Sequence, residues 1–101
     1  MTRARIAALA IVVPDYDAAI AFFCGVMGFT LTADEVQGDK RWVMVEPPGG
    51  GVQLVLARAQ GARQQAAIGD QAGGRVWLFY ETDDFARDSA RMKAAGVHFE
   101  E

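Results

Sequence analysis

The chain has 101 residues, of which 51% are hydrophobic and 23% charged, so it is long enough for one compact domain and too short for two. The net charge of -3, with lysines and arginines scattered singly, predicts neither a nucleic-acid partner nor binding to anionic lipid. A single cysteine, Cys24, excludes an internal disulfide and favours a reducing, cytoplasmic location. The longest uncharged stretch, residues 18–33, is shorter than the roughly 20 residues of a membrane-spanning helix, so no membrane association is expected.

The chain begins with a predicted strand and helix. Residues 5–13, which are continuously apolar after Arg5, predict a strand buried on both faces, with the small Ala8 and Ala10 alternating with large side chains. Asp15 predicts the N-cap of a helix, and Gly28 predicts its left-handed end. The apolar positions between them follow helical spacing: Ile20, Phe23, Cys24 and Met27.

Three further strands are predicted next. Residues 29–36 and 41–46 read as two strands joined by a hairpin turn, and residues 52–57 as a fourth strand. The triple glycine 49–51 resembles a phosphate-binding loop, but it precedes a strand rather than a helix. A turn is therefore the better interpretation.

The second half of the chain repeats the beginning of the first. After a connector rich in Ala, Gln and Gly, residues 75–81 predict a strand and Thr82 or Asp83 a helix cap. The helix should present one stripe, formed by Phe85, Ser89, Met92 and Ala95. Gly96 should end it, and residues 97–99 should begin a sixth strand. The acidic residues at both helix starts are explained as capping groups.

These motifs together resemble the vicinal oxygen chelate superfamily, which includes glyoxalases, bleomycin resistance proteins and extradiol dioxygenases. The resemblance is carried by VVPDYDAAIAFF at 12–23, MGF at 27–29, PPGG at 47–50, TDDF at 82–85 and AAGV at 94–97. It implies an α+β fold of paired βαβββ modules that form a curved mixed sheet, with helices on the outer face and ligands on the concave side.

On this resemblance the single domain, 1–101, divides into a first module at 1–57, a connector at 58–74 and a second module at 75–101. The second module looks truncated, because the first uses residues 28–57 for strands that have few counterparts after Gly96. Three explanations stay open: a longer natural protein, a tail beyond this sequence, or a partner chain that completes the sheet.

The resemblance also implies where metal-dependent relatives carry ligands on the first, fourth and fifth strands. These positions fall on Ala8, Gln53 and Trp77. Neither alanine nor tryptophan ligates a divalent ion and glutamine is a weak ligand, so we expect no metal and no cofactor. The only histidine, His98, is interpreted as a solvent-facing strand residue.

Strand alternation predicts a cup lined mainly by apolar and aromatic groups. The candidate ligand-binding residues are Ala8, Trp42, Gln53, Val55, Trp77, Phe79 and Glu81. The face of Trp42 is left undecided. For Trp77 and Phe79 the alternative to ligand binding is a place in the core or in a dimer interface, and for Trp77 the core is as good an interpretation as the ligand wall.

Together with the resemblance, the candidate residues predict a homodimeric, metal-independent small-molecule binding protein similar to the bleomycin-resistance type, which sequesters an apolar or aromatic ligand. The alternative is a metal-dependent enzyme resembling glyoxalases or dioxygenases, with its ligands in other positions or beyond Glu101. A third interpretation is a degenerate family member that binds no ligand and serves as a dimerisation unit.

Overall fold

The computed structural model describes residues 3–97 and has an α+β architecture built around a four-stranded mixed sheet. Its elements are β1 (Ala8–Val13), α1 (Tyr16–Ile20) with a π-helical continuation (Ala21–Val26), β2 (Thr30–Gln37), β3 (Lys40–Glu46), β4 (Gln53–Arg58), α2 (Gly61–Ala67) and α3 (Phe85–Ala94). The sheet order is β1-β4-β3-β2, with β1 parallel to β4 and the other neighbours antiparallel. Over residues 3–97, no helix is long and apolar enough to cross a membrane.

The predicted first helix is confirmed, and it covers one face of the sheet. Its N-cap is Asp15, whose carboxylate accepts from the Ala18 N–H at 2.8 Å. Tyr16, Ala19 and Phe23 are buried, and the helix ends before Gly28, which has φ 77°. The three buried helix residues pack on the most deeply buried side chains of the two central strands: Val43, Val45, Leu54 and Leu56. We call this covered side of the sheet the helix face.

The hairpin of β2 and β3 is confirmed, with Gly38 and Asp39 in the turn, and it contains an irregularity that the sequence does not reveal. The register shifts between Leu31 and Ala33, so Thr32 is an extra residue in β2. Such a β-bulge reverses which residues of the strand face each side. Before the bulge Leu31 lies opposite Val45, and after it Asp34 lies opposite Val43.

The prediction that the first strand is buried on both faces is wrong. Leu9 is 39% exposed and Ala10 is also exposed. In the part of the chain that the structure describes, β1 is an edge strand of the sheet, and no element covers the sheet face opposite α1. One edge of β1 is nevertheless occupied at Val12: the side-chain amide of Gln71 accepts from its N–H at 3.1 Å and donates to its carbonyl at 2.7 Å.

The predicted strand at residues 75–81 is also wrong. The segment forms no ladder with any described strand, and its one β-type backbone pairing within residues 3–97 is the isolated bridge between Ala72 and Arg75. Strand propensity without a pairing partner does not form a sheet, because each extended residue then leaves its backbone groups unpaired. The predicted sixth strand includes His98 and Phe99, which lie outside the described residues.

The remaining helices differ in part from expectation. The connector contains α2, an unpredicted helix with no buried residue, and α3 is capped by Asp84 rather than by Thr82 or Asp83. Thr82 instead accepts from the Asp84 N–H at 3.2 Å, which delays the helix start. Ser89 is buried as predicted, but Phe85 of the same predicted stripe is 71% exposed.

Candidate functional site

The candidate site is the side of the sheet opposite α1, which we call the open face. Strand pairing assigns its members, because residues opposite each other in a ladder point to the same side. Ala8 lies opposite Gln53, Ala10 opposite Val55, and Val55 opposite Met44. Alternation then adds Trp42 and Glu46 from β3 to the same side.

Four of the seven predicted ligand-binding residues therefore share one surface: Ala8, Trp42, Gln53 and Val55. The sequence analysis left the orientation of Trp42 undecided. In the structure its side chain lies on the open face and is 41% exposed. Ala8, Gln53 and Val55 are half-buried, although no helix covers them among residues 3–97. An indole beside small and apolar side chains is typical of a surface that accepts a flat ligand.

Gln53 has a fixed orientation that sequence reasoning missed. The Thr32 hydroxyl donates to Gln53 Oε1 at 2.5 Å and lies 3.3 Å from the Met44 carbonyl. Thr32 reaches this position because it is the extra residue of the bulge in β2. No sequence signal would have identified it, since a bulge depends on how two strands pair.

A second residue that the sequence analysis overlooked is Glu46, at the end of β3. It lines a cleft of about 670 Å³ together with Gln53, Val52, Gly51, Arg5 and Ile6. Within residues 3–97, no hydrogen bond or ion pair engages the Glu46 carboxylate. The cleft therefore combines one unpaired acidic group, one oriented amide and the basic residue Arg5.

The other three predicted residues lie elsewhere, so their predicted direction is wrong. Trp77 is half-buried and packs against the core on the helix face. Phe79 is 86% exposed and lines a groove of about 280 Å³ together with Leu54 of the buried core. Glu81 lines a different cleft beside α3. Alternation failed because it was applied to a segment that forms no strand.

Ionic contacts at the helix face attach α1 to the hairpin. Arg41 binds Asp34 at 2.7 Å and Asp17 at 2.9 Å. The hydrogen bond from Arg41 lowers the pKa of Asp34, and both partners raise the pKa of Arg41. The guanidinium groups of Arg41 and Arg58 lie 5.2 and 5.4 Å from the centre of the buried Tyr16 ring. This cluster fixes the helix and leaves the open face free of its charges.

A second cluster attaches α3 to the first half of the chain. Asp88 is 5% exposed and binds Arg87 at 3.0 Å, Arg91 at 3.2 Å and the Thr82 hydroxyl. Hydrogen bonds from Arg87 and Thr82 lower the pKa of Asp88 to about 2. Arg91 also donates to the Met27 carbonyl at 3.2 Å, so the cluster links the start of α3 to the end of the first helix. Its role is structural.

The described residues offer little for metal binding or nucleophilic catalysis. Over residues 3–97, no group of three His, Cys, Asp or Glu side chains is placed to hold a metal ion. Ala8 and Gln53, two positions at which the family resemblance implies ligands, do lie side by side, but alanine provides no donor atom. Burial raises the pKa of the Cys24 thiol, which disfavours the reactive thiolate.

A curved α+β sheet with one helix-covered face and one open face, carrying aromatic and apolar groups, defines a protein of the glyoxalase fold class. The sequence model of the Glyoxalase/Bleomycin resistance protein/Dioxygenase superfamily matches residues 5–101. The chain belongs to this superfamily.

Similar proteins agree with this assignment. An uncharacterized protein of Shewanella frigidimarina is 53% identical over 94 residues, which cover 90% of this chain and 70% of that protein. TnmS3, an antibiotic binding protein from Streptomyces sp. CB03234, has 28% identity and a TM-score of 0.75, with 97% of this chain and 75% of that chain covered. UcmS2 has 27% identity and a TM-score of 0.78, with 97% and 79% covered.

Proposed function

We propose that this protein binds a flat apolar or aromatic small molecule on its open face and sequesters it without a metal ion. The observation that carries the proposal is the exposure of Trp42 beside the half-buried Val55 and Met44 on an uncovered sheet surface. A large indole costs free energy when it is left in water, and a stacked ligand would remove that cost. The similarity to TnmS3, an antibiotic binding protein, supports the same class of function.

The proposed ligand contacts are Ala8, Trp42, Gln53 and Val55. Ala8 contributes by its small size, since it leaves space over β1 for a ligand to approach the sheet. Metal independence is supported by the chemistry of these side chains, because Ala8 has no donor atom and the Gln53 oxygen already accepts from Thr32.

Three further statements about the protein belong to this proposal. We propose a homodimer, supported by the position of β1 at the edge of the described sheet, and a cytoplasmic location, supported by the single cysteine. The division into modules at 1–57 and 75–101 joined by a connector at 58–74 also stays a proposal. Light scattering during gel filtration would test the dimer, which should have twice the mass of one chain.

Calorimetric titration with N-methylphenanthridinone, a flat tricyclic molecule, tests the binding function. We expect saturable binding that EDTA does not change and that Val55→Asp abolishes, because a charge would then lie under the ligand. Val36→Asp is the matched control, since Val36 is 77% exposed on the hairpin. Ligand quenching of Trp42 fluorescence in a Trp77→Phe background would locate the site.

Two results would overturn the proposal. Absence of saturable binding would contradict a ligand site on the open face. Binding that EDTA removes and zinc restores would favour the metal-dependent enzyme instead.

A further inference from the structure

We infer that the open face recognises a particular ligand feature: a hydrogen-bond acceptor and a hydrogen-bond donor side by side at one end of a flat body. Gln53 is the donor that meets the ligand acceptor, and Glu46 is the acceptor that meets the ligand donor. A lactam, with adjacent C=O and N–H groups, has this chemistry. The inference rests on the proposed function and specifies the ligand class of the same surface.

The donor role of Gln53 follows from what Thr32 does to its amide. Because the Thr32 hydroxyl donates to Gln53 Oε1, the amide oxygen is engaged and the orientation of the group is set. The Nε2 group, which carries two N–H donors, has no partner among residues 3–97 and is not buried. Gln53 therefore offers two free, oriented donors to a ligand while its oxygen is occupied by Thr32, and Thr32 is a positioning residue.

The acceptor role of Glu46 follows from strand register. Val45 lies opposite Leu54 and Val43 opposite Leu56, so the next pair outward is Glu46 with Gln53. Directly opposed residues on adjacent antiparallel strands have Cβ atoms about 4.5–5.5 Å apart, which matches neighbouring polar groups of one ligand. An ionised carboxylate only accepts hydrogen bonds, and both side chains line the same cleft.

The length of the open face determines the size of the apolar body that the ligand can have. Glu46 and Trp42 lie four residues apart on β3, which at about 3.3 Å per residue is roughly 13 Å. Met44 and Val55 form an apolar floor between these two positions. A flat system of about three fused rings, with its polar end at Glu46 and Gln53, would extend over this floor toward Trp42.

The inference is tested by comparing phenanthridinone with its N-methyl derivative in calorimetric titrations. The two probes share the tricyclic body and the carbonyl, but only phenanthridinone has the N–H donor. We expect phenanthridinone to bind at least tenfold more tightly, because the N-methyl compound leaves the Glu46 carboxylate without a partner.

Variants assign the preference to individual residues. Glu46→Ala should reduce the tenfold preference to less than about threefold, and Asp39→Ala, which removes a carboxylate from the exposed hairpin turn, should leave it unchanged. Gln53→Leu should weaken the binding of both probes by a similar factor, since both probes present the carbonyl group to Gln53. Thr32→Val should also weaken the binding of both probes, while the melting temperature of the variant stays close to that of the natural protein.

The outcomes separate the inference from the proposed function. If neither probe binds, the proposed function fails and the inference fails with it. If both bind equally tightly to the natural protein, the function stands and the inference is overturned. A preference for phenanthridinone that survives Glu46→Ala also overturns the assignment of the acceptor.

Discussion

The contact between Gln71 and Val12 provides a sharp test of how the connector stabilises the sheet. The carbonyl groups of Ala7, just before β1, and of Val13, at its end, accept from Gln53 of β4 and from Ala59, so the backbone groups of Val12 point toward the opposite edge. Among residues 3–97 their hydrogen-bond partner is the side chain of Gln71, which replaces a neighbouring strand at one residue. Gln71→Met keeps the length of the side chain and removes both hydrogen bonds.

The expected cost can be worked out from those two bonds. A protein hydrogen bond contributes about 0.5–1.5 kcal/mol net, and two would contribute about 1–3 kcal/mol. Because Val12 is half-buried at a sheet edge, water replaces part of the loss, and we expect the free energy of unfolding to fall by about 1–2 kcal/mol. For a domain of this size the melting temperature should then drop by roughly 4–16 °C.

Two measurements check this prediction. Thermal unfolding of Gln71→Met is compared with Gln65→Met, a matched change at an exposed position of α2. Amide hydrogen exchange should accelerate at Val12 and stay slow at the Ala59 amide, which donates to the Val13 carbonyl. Equal melting temperatures for the two variants, or unchanged exchange at Val12, would refute the reasoning.

Two further predictions concern the core and the second half of the chain. Leu56→Ala should lower the free energy of unfolding by about 2–5 kcal/mol in urea titrations, because Leu56 is 1% exposed at the centre of the sheet. Leu31→Ala, at a residue that is 42% exposed, should cost less than half as much, and equal losses would contradict the assigned core. Asp88→Asn should lower the melting temperature at pH 7, whereas Asp39→Asn in the exposed hairpin turn should not. The folded pKa of Asp88 lies below its ordinary value of 3.8, so its stabilisation is complete above pH 4 and is lost as the pH falls toward about 2. The melting-temperature difference between wild type and Asp88→Asn should therefore shrink over that range, and a constant difference would contradict the role of the Asp88 charge.

Much of the first half of the fold was predictable because its signals are local. The cap at Asp15, the left-handed Gly28 and the hairpin turn at Gly38 each depend on residues close in sequence, and the structure confirms them. The family could be identified for the same reason, since its motifs are short runs of neighbouring residues. The resemblance to that family assigned Ala8 and Gln53 to corresponding positions of two strands, and the structure pairs them side by side.

The second half was less predictable because its outcome depends on partners that pattern alone does not show. Residues 75–81 have the composition of a strand, yet none of the described strands pairs with them. The predicted directions of Trp77 and Phe79 failed with that strand, and tertiary packing places Trp77 against the helix-side core instead.

The sequence by itself determined the family, the first helix and the strands of the hairpin, because capping, turn chemistry and hydrophobic periodicity act over a few residues. Only the tertiary structure decided which side chains meet on the open face. Thr32 reaches Gln53 because a bulge shifts one strand against another, and Glu46 adjoins Gln53 because two strands pair in one register. Bulge and register are properties of paired strands, so the polar groups of the site became visible only once the sheet was assembled.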